Sequence, residues 1–486
     1  MTRRAATRPR VARILIVSTA AAAAWPAVTL AHVGGGAFIL LLPTHLYVAG
    51  GAIVVAATFF LTAVVPPRVF ARLEALSVRW SLPAWLRGAR LSTATSLLSL
   101  AVVILLIVAG LVGSRDPLSN PLPLFVWTVW WIGLTALHAL VGNLWTHLNP
   151  WIGLYRLLTS AVRRRGRRAR PPFAYPSRAG HWPAVAGFLA FAWIELIYPA
   201  PSDPAVLARL AASYLLFQFA GLLAFGEPWL REAEPFAVFF RMVSWLAPLG
   251  VDGPDRNAAR RIEVTLPALR LLRVETPAES LAAFVLLVLA SVSFDGMSRT
   301  FAWLGLLDVN PLAHPGRTAL MLPNTLGLVG TFAVLGLAYA VAVRLLARLG
   351  RIRRPTAELV ALFALPLVPI ACGYHFAHYL PVFLVDIQHA IRAASDPFTR
   401  GWDLLGTRDL PLVTSFLSDP ARVYAVWHAQ VALIVGAHVA GVVVAHALAL
   451  RLTGRGPALA SQLPMILLMI GYTVLGLWLL STPAVG

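Results

Sequence analysis

The stretch LVALFALPLVPIACGYHFAHYLPVF, Leu359 to Phe383, carries no Asp, Glu, Lys or Arg in 25 residues. About 20 residues of helix cross a hydrocarbon core, so a run this long and apolar reads as a membrane span. It nevertheless holds His375 and His378, which a three-residue spacing places on one side of a helix. Ionisable groups within a span face the bundle interior or a wet cavity and mark function more often than their neighbours do. One segment therefore gives both a fold class and a first candidate site.

Working outward, apolar runs of similar length lie near 40–65, 94–113, 123–145, 182–199, 206–226, 279–297, 325–346, 358–383, 424–448 and 461–481. The chain reads as an all-α, polytopic transmembrane helix bundle of about ten spans. Its composition agrees, with 59% hydrophobic and 12% charged residues and a mean hydropathy of +0.75. A net charge of +20 would suggest nucleic acid in a soluble protein, but the distribution gives another reason. Every one of the 40 basic residues is arginine, and most fall in alternate loops: Arg68 to Arg90, Arg163 to Arg170, Arg231 to Arg273, Arg344 to Arg354, and Arg451 with Arg455. Arginine-rich short loops stay cytoplasmic. The charge is then a topology signal, no nucleic-acid partner is expected, and the lipid bilayer is the expected surrounding. The C terminus falls on the periplasmic side of a bacterial inner membrane.

Residues 1–31 have five arginines, an Ala-rich apolar core and the ending Thr29-Leu30-Ala31, the pattern of a signal peptide cleaved after Ala31. Uncut, the segment would be an additional first span. The remainder, 32–486, reads as one multi-span domain with a cytoplasmic Arg-rich loop at 151–181 and a longer one at 227–278. Within the longer loop, Pro235 to Leu249 is weakly apolar and suits a position along the membrane surface. Cys372, the single cysteine, leaves neither an intramolecular disulfide nor a thiolate cluster. The sequence has no Walker motif and no dinucleotide fingerprint, which leaves an ATP-driven pump unsupported.

Seven histidines fall at or above the outer leaflet in this topology: His32, His45, His314, His375, His378, His389 and His428. Offsets of 3, 11 and 14 from His375 put His378, Asp386 and His389 on one face if helical phase persists. Three imidazoles and a carboxylate suit zinc or a similar divalent metal. Pro381 is expected to kink the helix and disturb that phase. Asp295, at the end of its span, and His428, at an outer entry, are the candidate acid–base pair, and Glu195 and His45 lie at similar depth. Cleavage would leave His32 at the new amino terminus, where its imidazole and amine can chelate a metal together. His138, His147, His438 and His446 read as helix-bridging residues, and the tryptophans as belt and packing residues.

The segments Tyr374–Leu380, Ser395–Thr407 and Gly436–Gly441, with Asn149-Pro150-Trp151 and Ser293-Phe294-Asp295-Gly296, resemble bacterial polytopic membrane proteins described as fenitrothion hydrolase. The resemblance implies hydrolysis of a small apolar organophosphorus triester by a membrane complex with a second membrane subunit. Two other classes stay open on the residues alone. A metal-handling permease would rely on His438, His138 and Glu195 as an intramembrane relay; a non-catalytic scaffold subunit would use its histidines structurally.

Overall fold

A computed structural model describes residues 44–81, 89–166, 168–252, 261–274, 277–310, 316–415, 418–453 and 455–482. The proposed signal peptide, His32 and His314 lie outside the described residues. Nine described helices are long and apolar enough to cross a membrane. In chain order with two shorter apolar helices, they are α1 (Thr44–Val64), α2 (Ala89–Val112), α3 (Pro121–Val141), α4 (Trp182–Leu196), α5 (Pro204–Phe225), α6 (Pro235–Ser244), α7 (Glu279–Ser298), α8 (Met321–Leu349), α9 (Thr356–Ser395), α10 (Pro420–Thr453) and α11 (Arg455–Ser481). The all-α bundle expected from the sequence is what the chain forms. α7 and the apolar core of α9 are its most enclosed spans.

Helix starts follow local chemistry. Asn120 accepts from Leu122 N–H ahead of α3, and Asp203 accepts from Val206 N–H ahead of α5, each with proline in the first turn. Phe125–Leu134 within α3 is wound as a π-helix.

The expected span at 182–199 becomes the 15-residue α4, shorter than a typical span because Pro199, Pro201 and Pro204 follow closely. It still runs the length of α7. His181 N–H donates to Ser280 Oγ at 2.8 Å at one end, and at the other Glu195 and Asp295 share the Tyr379 hydroxyl.

α6 departs from the expectation of a surface-lying segment. Phe236, Val238, Phe239, Phe240, Met242 and Val243 are all buried in the main core, so the helix sits inside the bundle. Its one charged side chain, Arg241, donates to the Arg231 carbonyl at 2.7 Å. Its N-terminal N–H groups are met by Glu234, whose carboxylate accepts from Phe236 N and Ala237 N, from Trp145 Nε1 at 3.0 Å, and from the Tyr214 hydroxyl.

Pro381, where a kink is expected, does not end the helix. The helix continues from Leu367 to Ser395 through Pro381, and α9 is interrupted instead at Leu365–Pro366. Lipid offers little hydrophobic drive for helix pairing, so close packing has to supply it. α9 and α10 meet at small residues: a Cβ on Gly373 would overlap Ala437 Cβ, and one on Gly441 would lie 2.7 Å from the Pro366 carbonyl.

The arginine-rich loops gather at one end. Strands β1 (Ser77–Ser81), β2 (Leu249–Asp252) and β3 (Arg261–Thr265) form an antiparallel sheet in the order β1-β3-β2, with Arg79 opposite Glu263. Glu263 is fully enclosed and accepts from Arg79 at 2.9 Å and Arg273 at 2.5 Å. Burial alone would raise its carboxyl, but the Arg273 and Arg79 bonds outweigh that and bring it down to about 2. Arg451 joins the same end through Glu74 and the Leu272 carbonyl. At the opposite end Arg115 pairs with Asp203, and Leu479, near the end of α11, packs beside Gly296.

Candidate functional site

Near that opposite end, α4, α7 and α9 bring four polar side chains into one hydrogen-bonded row. α7 ends in Ser-Phe-Asp-Gly-Met-Ser, which places Asp295 in its last turn with only 2% exposure. His378 Nε2 lies 2.8 Å from Asp295 Oδ2. A carboxylate accepts, so Nε2 carries the hydrogen and Nδ1 is left with the lone pair in the neutral ring. The Tyr379 hydroxyl is 2.9 Å from the same Oδ2 and 2.9 Å from Glu195 Oε1, joining the two carboxylates. Arg299, one turn beyond Asp295, approaches its other oxygen at 3.4 Å. Arg317, in the turn before α8, donates to the main-chain carbonyls of Glu195 and Tyr198 at 2.7 and 3.2 Å.

One buried polar atom borders this row without a hydrogen-bond partner among the described residues, the Tyr374 hydroxyl. The Tyr374 ring lies parallel to His378 with centroids 6.1 Å apart. Its hydroxyl occupies space that a side chain on Gly296 would take, 2.8 Å from the position of such a Cβ. Trp131 faces Glu195 and Tyr379 and packs edge-on to His375 at 4.6 Å.

The residues read from the sequence as one metal set are separated. His375 turns away from Asp295, with Nε2 3.2 Å from the Trp131 carbonyl and its ring among Trp131, Phe239 and Tyr379. Asp386 and His389 follow on the same continuous helix, about 16 and 21 Å further along its axis at 1.5 Å per residue. His389 is instead within electrostatic range of Asp386 and of Asp116 in the loop after α2. Asp116 is held below the usual carboxylate range, first by the Ser119 hydroxyl and then by Leu118 N–H. Among the described residues no group of three or more His, Cys, Asp and Glu side chains is arranged to hold a metal. No chemical step is therefore assigned to one.

His428 is not gathered with Asp295 either. Its Nδ1–H donates to the Tyr424 carbonyl at 2.7 Å, which leaves Nε2 to accept from the Tyr47 hydroxyl at 3.1 Å. Of the histidines read as bridging, His446 joins α10 to α11 through Gln462 at 3.0 Å. His138 bonds the Leu134 carbonyl and accepts from Trp145 N–H. His438 bonds its own helix at the Ile434 carbonyl, and its Nε2 has no partner among the described residues.

Tyr379, Arg299, Arg317 and Trp131 were not singled out by the sequence. Tyr379 adjoins His378 in the quoted stretch and Arg299 follows Asp295 by four residues, and these are the local signals they carry. A separate cleft of about 700 Å³ opens at the arginine-rich end, lined by Tyr155, Phe173, Tyr175, Phe225, Glu227 and Arg231 among others. It contains none of the row.

Fold and site define a polytopic α-helical membrane protein with an Asp–His–Tyr–Glu row near one end of its bundle. No protein-family model, curated protein or solved structure matches the chain.

Proposed function

We propose that this protein is a membrane-bound hydrolase, with the Asp295–His378 pair as its general base and organophosphorus triesters such as fenitrothion as its substrate class. In this reading the arginine-rich end faces the cytoplasm of a bacterial inner membrane, and the row faces the periplasmic leaflet. The observation that carries the proposal is the 2.8 Å contact between a carboxylate that is 2% exposed and an imidazole that keeps 20% of its side-chain surface. An enclosed carboxylate that fixes the tautomer of a more open imidazole is the arrangement general-base catalysis needs.

His378 Nδ1 takes a proton from water as the water oxygen bonds to phosphorus and the bond from phosphorus to the aryl oxygen breaks. The imidazolium, held by Asp295, returns that proton to the departing oxygen. The products are a phenol and a phosphodiester, which ionises to a monoanion. Tyr379 and Glu195 hold Asp295 in place from the other side. Partly exposed Phe376 and Phe383 beside this turn of α9 offer an apolar approach suited to a substrate dissolved in lipid.

The test is triester hydrolysis by protein in liposomes, with and without the second membrane subunit that the sequence resemblance implies. His378→Ala and Asp295→Asn should each lower the rate by about 10²–10⁴-fold. Unchanged rates in both folded variants would overturn the assignment.

A second reading, a proton-coupled permease, draws on the buried Nε2 of His438 deep in α10, unpartnered among the described residues. Substrate-driven proton uptake in liposomes that His438→Phe abolishes would favour it.

A further inference from the structure

Among the described residues, Arg317 is bound to two carbonyl oxygens and to no carboxylate. Carbonyl dipoles orient a guanidinium but do not neutralise it. The nearest candidate to pair with it, Glu195, offers its backbone oxygen to Arg317 and turns its carboxylate to Tyr379. Arg299 is similarly under-used. Its contact with Asp295 is long at 3.4 Å, Asp295 is already engaged by His378 and Tyr379, and half of the Arg299 side chain is exposed. Arg299 meets Asp295, and Arg317 meets the carbonyl of Glu195, whose carboxyl shares Tyr379 with Asp295, so both guanidiniums border one row. Burial first, and then Arg299, hold Arg317 below the usual arginine range, while Asp295 and Glu195 act in the opposite direction. Two cations brought together at the rim of a buried acidic row, each with N–H groups to spare, make an incomplete anion site.

We propose that Arg299 and Arg317 together bind a monoanionic phosphodiester at the mouth of the row. Two guanidinium forks suit the two free oxygens of such a group. This inference deepens the hydrolase reading, because a phosphodiester is the product of triester hydrolysis. The same chemistry is also presented by the headgroup of an anionic phospholipid in the leaflet around the site.

Binding is measured without turnover, so it can fail or succeed independently of the hydrolase assignment. In one arm, diethyl phosphate is titrated by calorimetry into the protein held in phosphatidylcholine nanodiscs. In the other, retention of phosphatidylglycerol is read by native mass spectrometry. Arg299→Gln, which disturbs no backbone contact, and Arg317→Gln should each weaken binding about tenfold or more. Arg317→Lys keeps a donor for the Glu195 and Tyr198 carbonyls and checks that the turn stays folded. Arg400→Gln, on an exposed loop, should bind as the parent does. Diethyl phosphate bound and lost in the two Gln variants identifies a product site; phosphatidylglycerol alone, lost in the same variants, identifies a lipid-headgroup site of the same chemistry. If neither ligand binds, or if both folded Gln variants bind as tightly as the parent, the proposal is overturned.

Discussion

His375 and His378 stand one turn apart on α9 and serve different neighbours: the first meets the Trp131 carbonyl at 3.2 Å, the second Asp295 Oδ2 at 2.8 Å. His375 ties α9 to α3 within an aromatic shell, whereas His378 belongs to the acidic row. The two alanine variants should therefore part ways. His378→Ala is expected to remove hydrolysis and, by taking a donor from buried Asp295, to lower stability by about 1–3 kcal/mol as well. His375→Ala is expected to lower stability by about 1–3 kcal/mol through the lost bond and packing, with activity per folded molecule largely kept. Thermal melts in detergent beside liposome assays read both, and equal loss of activity in the two variants would argue against this division.

Tyr379→Phe removes the single hydroxyl that joins Glu195 to Asp295. The hydroxyl has one hydrogen to give, so one carboxyl group loses its donor and the other its hydrogen-bonded neighbour while the ring stays in place, and a stability loss of about 1–3 kcal/mol is expected. Asp295 still holds His378, and hydrolysis should fall less than in Asp295→Asn. A Tyr379→Phe protein that melts like its parent would show that the bridge adds nothing to the fold.

The spans were legible because lipid imposes a composition on them: long apolar runs, with arginine in alternate loops. α6 was not, since a ten-residue, mostly apolar segment reads alike at a surface and in a core, and only the aromatic pocket around Phe236 and Phe239 separates the cases. The face shared by His375, His378, Asp386 and His389 was read from helical phase, which fixes angle but not height. A helix that continues through Pro381 carries Asp386 and His389 along its axis away from His378. Asp295 and Glu195 stood out as acids in apolar surroundings. Their meeting at Tyr379 comes from the parallel run of α4 beside α7, a tertiary relation with no local sequence signal. Arg317 reaches the row for the same reason, whereas Arg299 stands four residues after Asp295, a spacing visible in the sequence.

Gly373 and Gly436 are both helical glycines, yet substitution at them should differ. A Cβ at Gly373 overlaps Ala437 Cβ and meets the Leu433 carbonyl at 2.8 Å, while at Gly436 it meets nothing within 4 Å. Gly373→Ala must push α9 from α10 and should cost about 1–3 kcal/mol. Gly436→Ala should be neutral or stabilise slightly, by up to about 1 kcal/mol. Parallel melts of the two variants check the close approach of the helices; similar values would contradict it.

Glu263 gives a pH dependence with a defined sign. Its carboxyl is brought from 4.5 to about 2, so the native state holds the charged form more strongly than the unfolded chain does. The stabilisation is complete above the unfolded value and fades as pH falls from about 4.5 towards 2. Arg79 and Arg273 are partly exposed, so screening reduces the effect to on the order of 2 kcal/mol. Glu263→Gln should lower stability at neutral pH and flatten this part of the acid limb. Denaturation midpoints measured across that range, for parent and variant, decide the matter; curves that stay parallel would remove Glu263 from the account.

Topology follows from which end carries the arginines. The sheet holding Arg79 and Arg273, together with Arg451, forms one end, and Leu479 beside Gly296 places the last helix end at the other. With arginine-rich short loops retained in the cytoplasm, the loop at Arg163–Arg170 is expected on the cytoplasmic side, and a chain extended past Gly486 is expected to emerge in the periplasm. Alkaline phosphatase fused after Gly486 should be active and a fluorescent protein that matures only in the cytoplasm should be dark, while fusions within 163–170 should give the reverse. The hydrolase reading depends on this orientation for its periplasmic site, but the row itself does not. A bright cytoplasmic reporter at the C terminus would move Asp295 and His378 to the inner leaflet and leave their 2.8 Å contact unchanged.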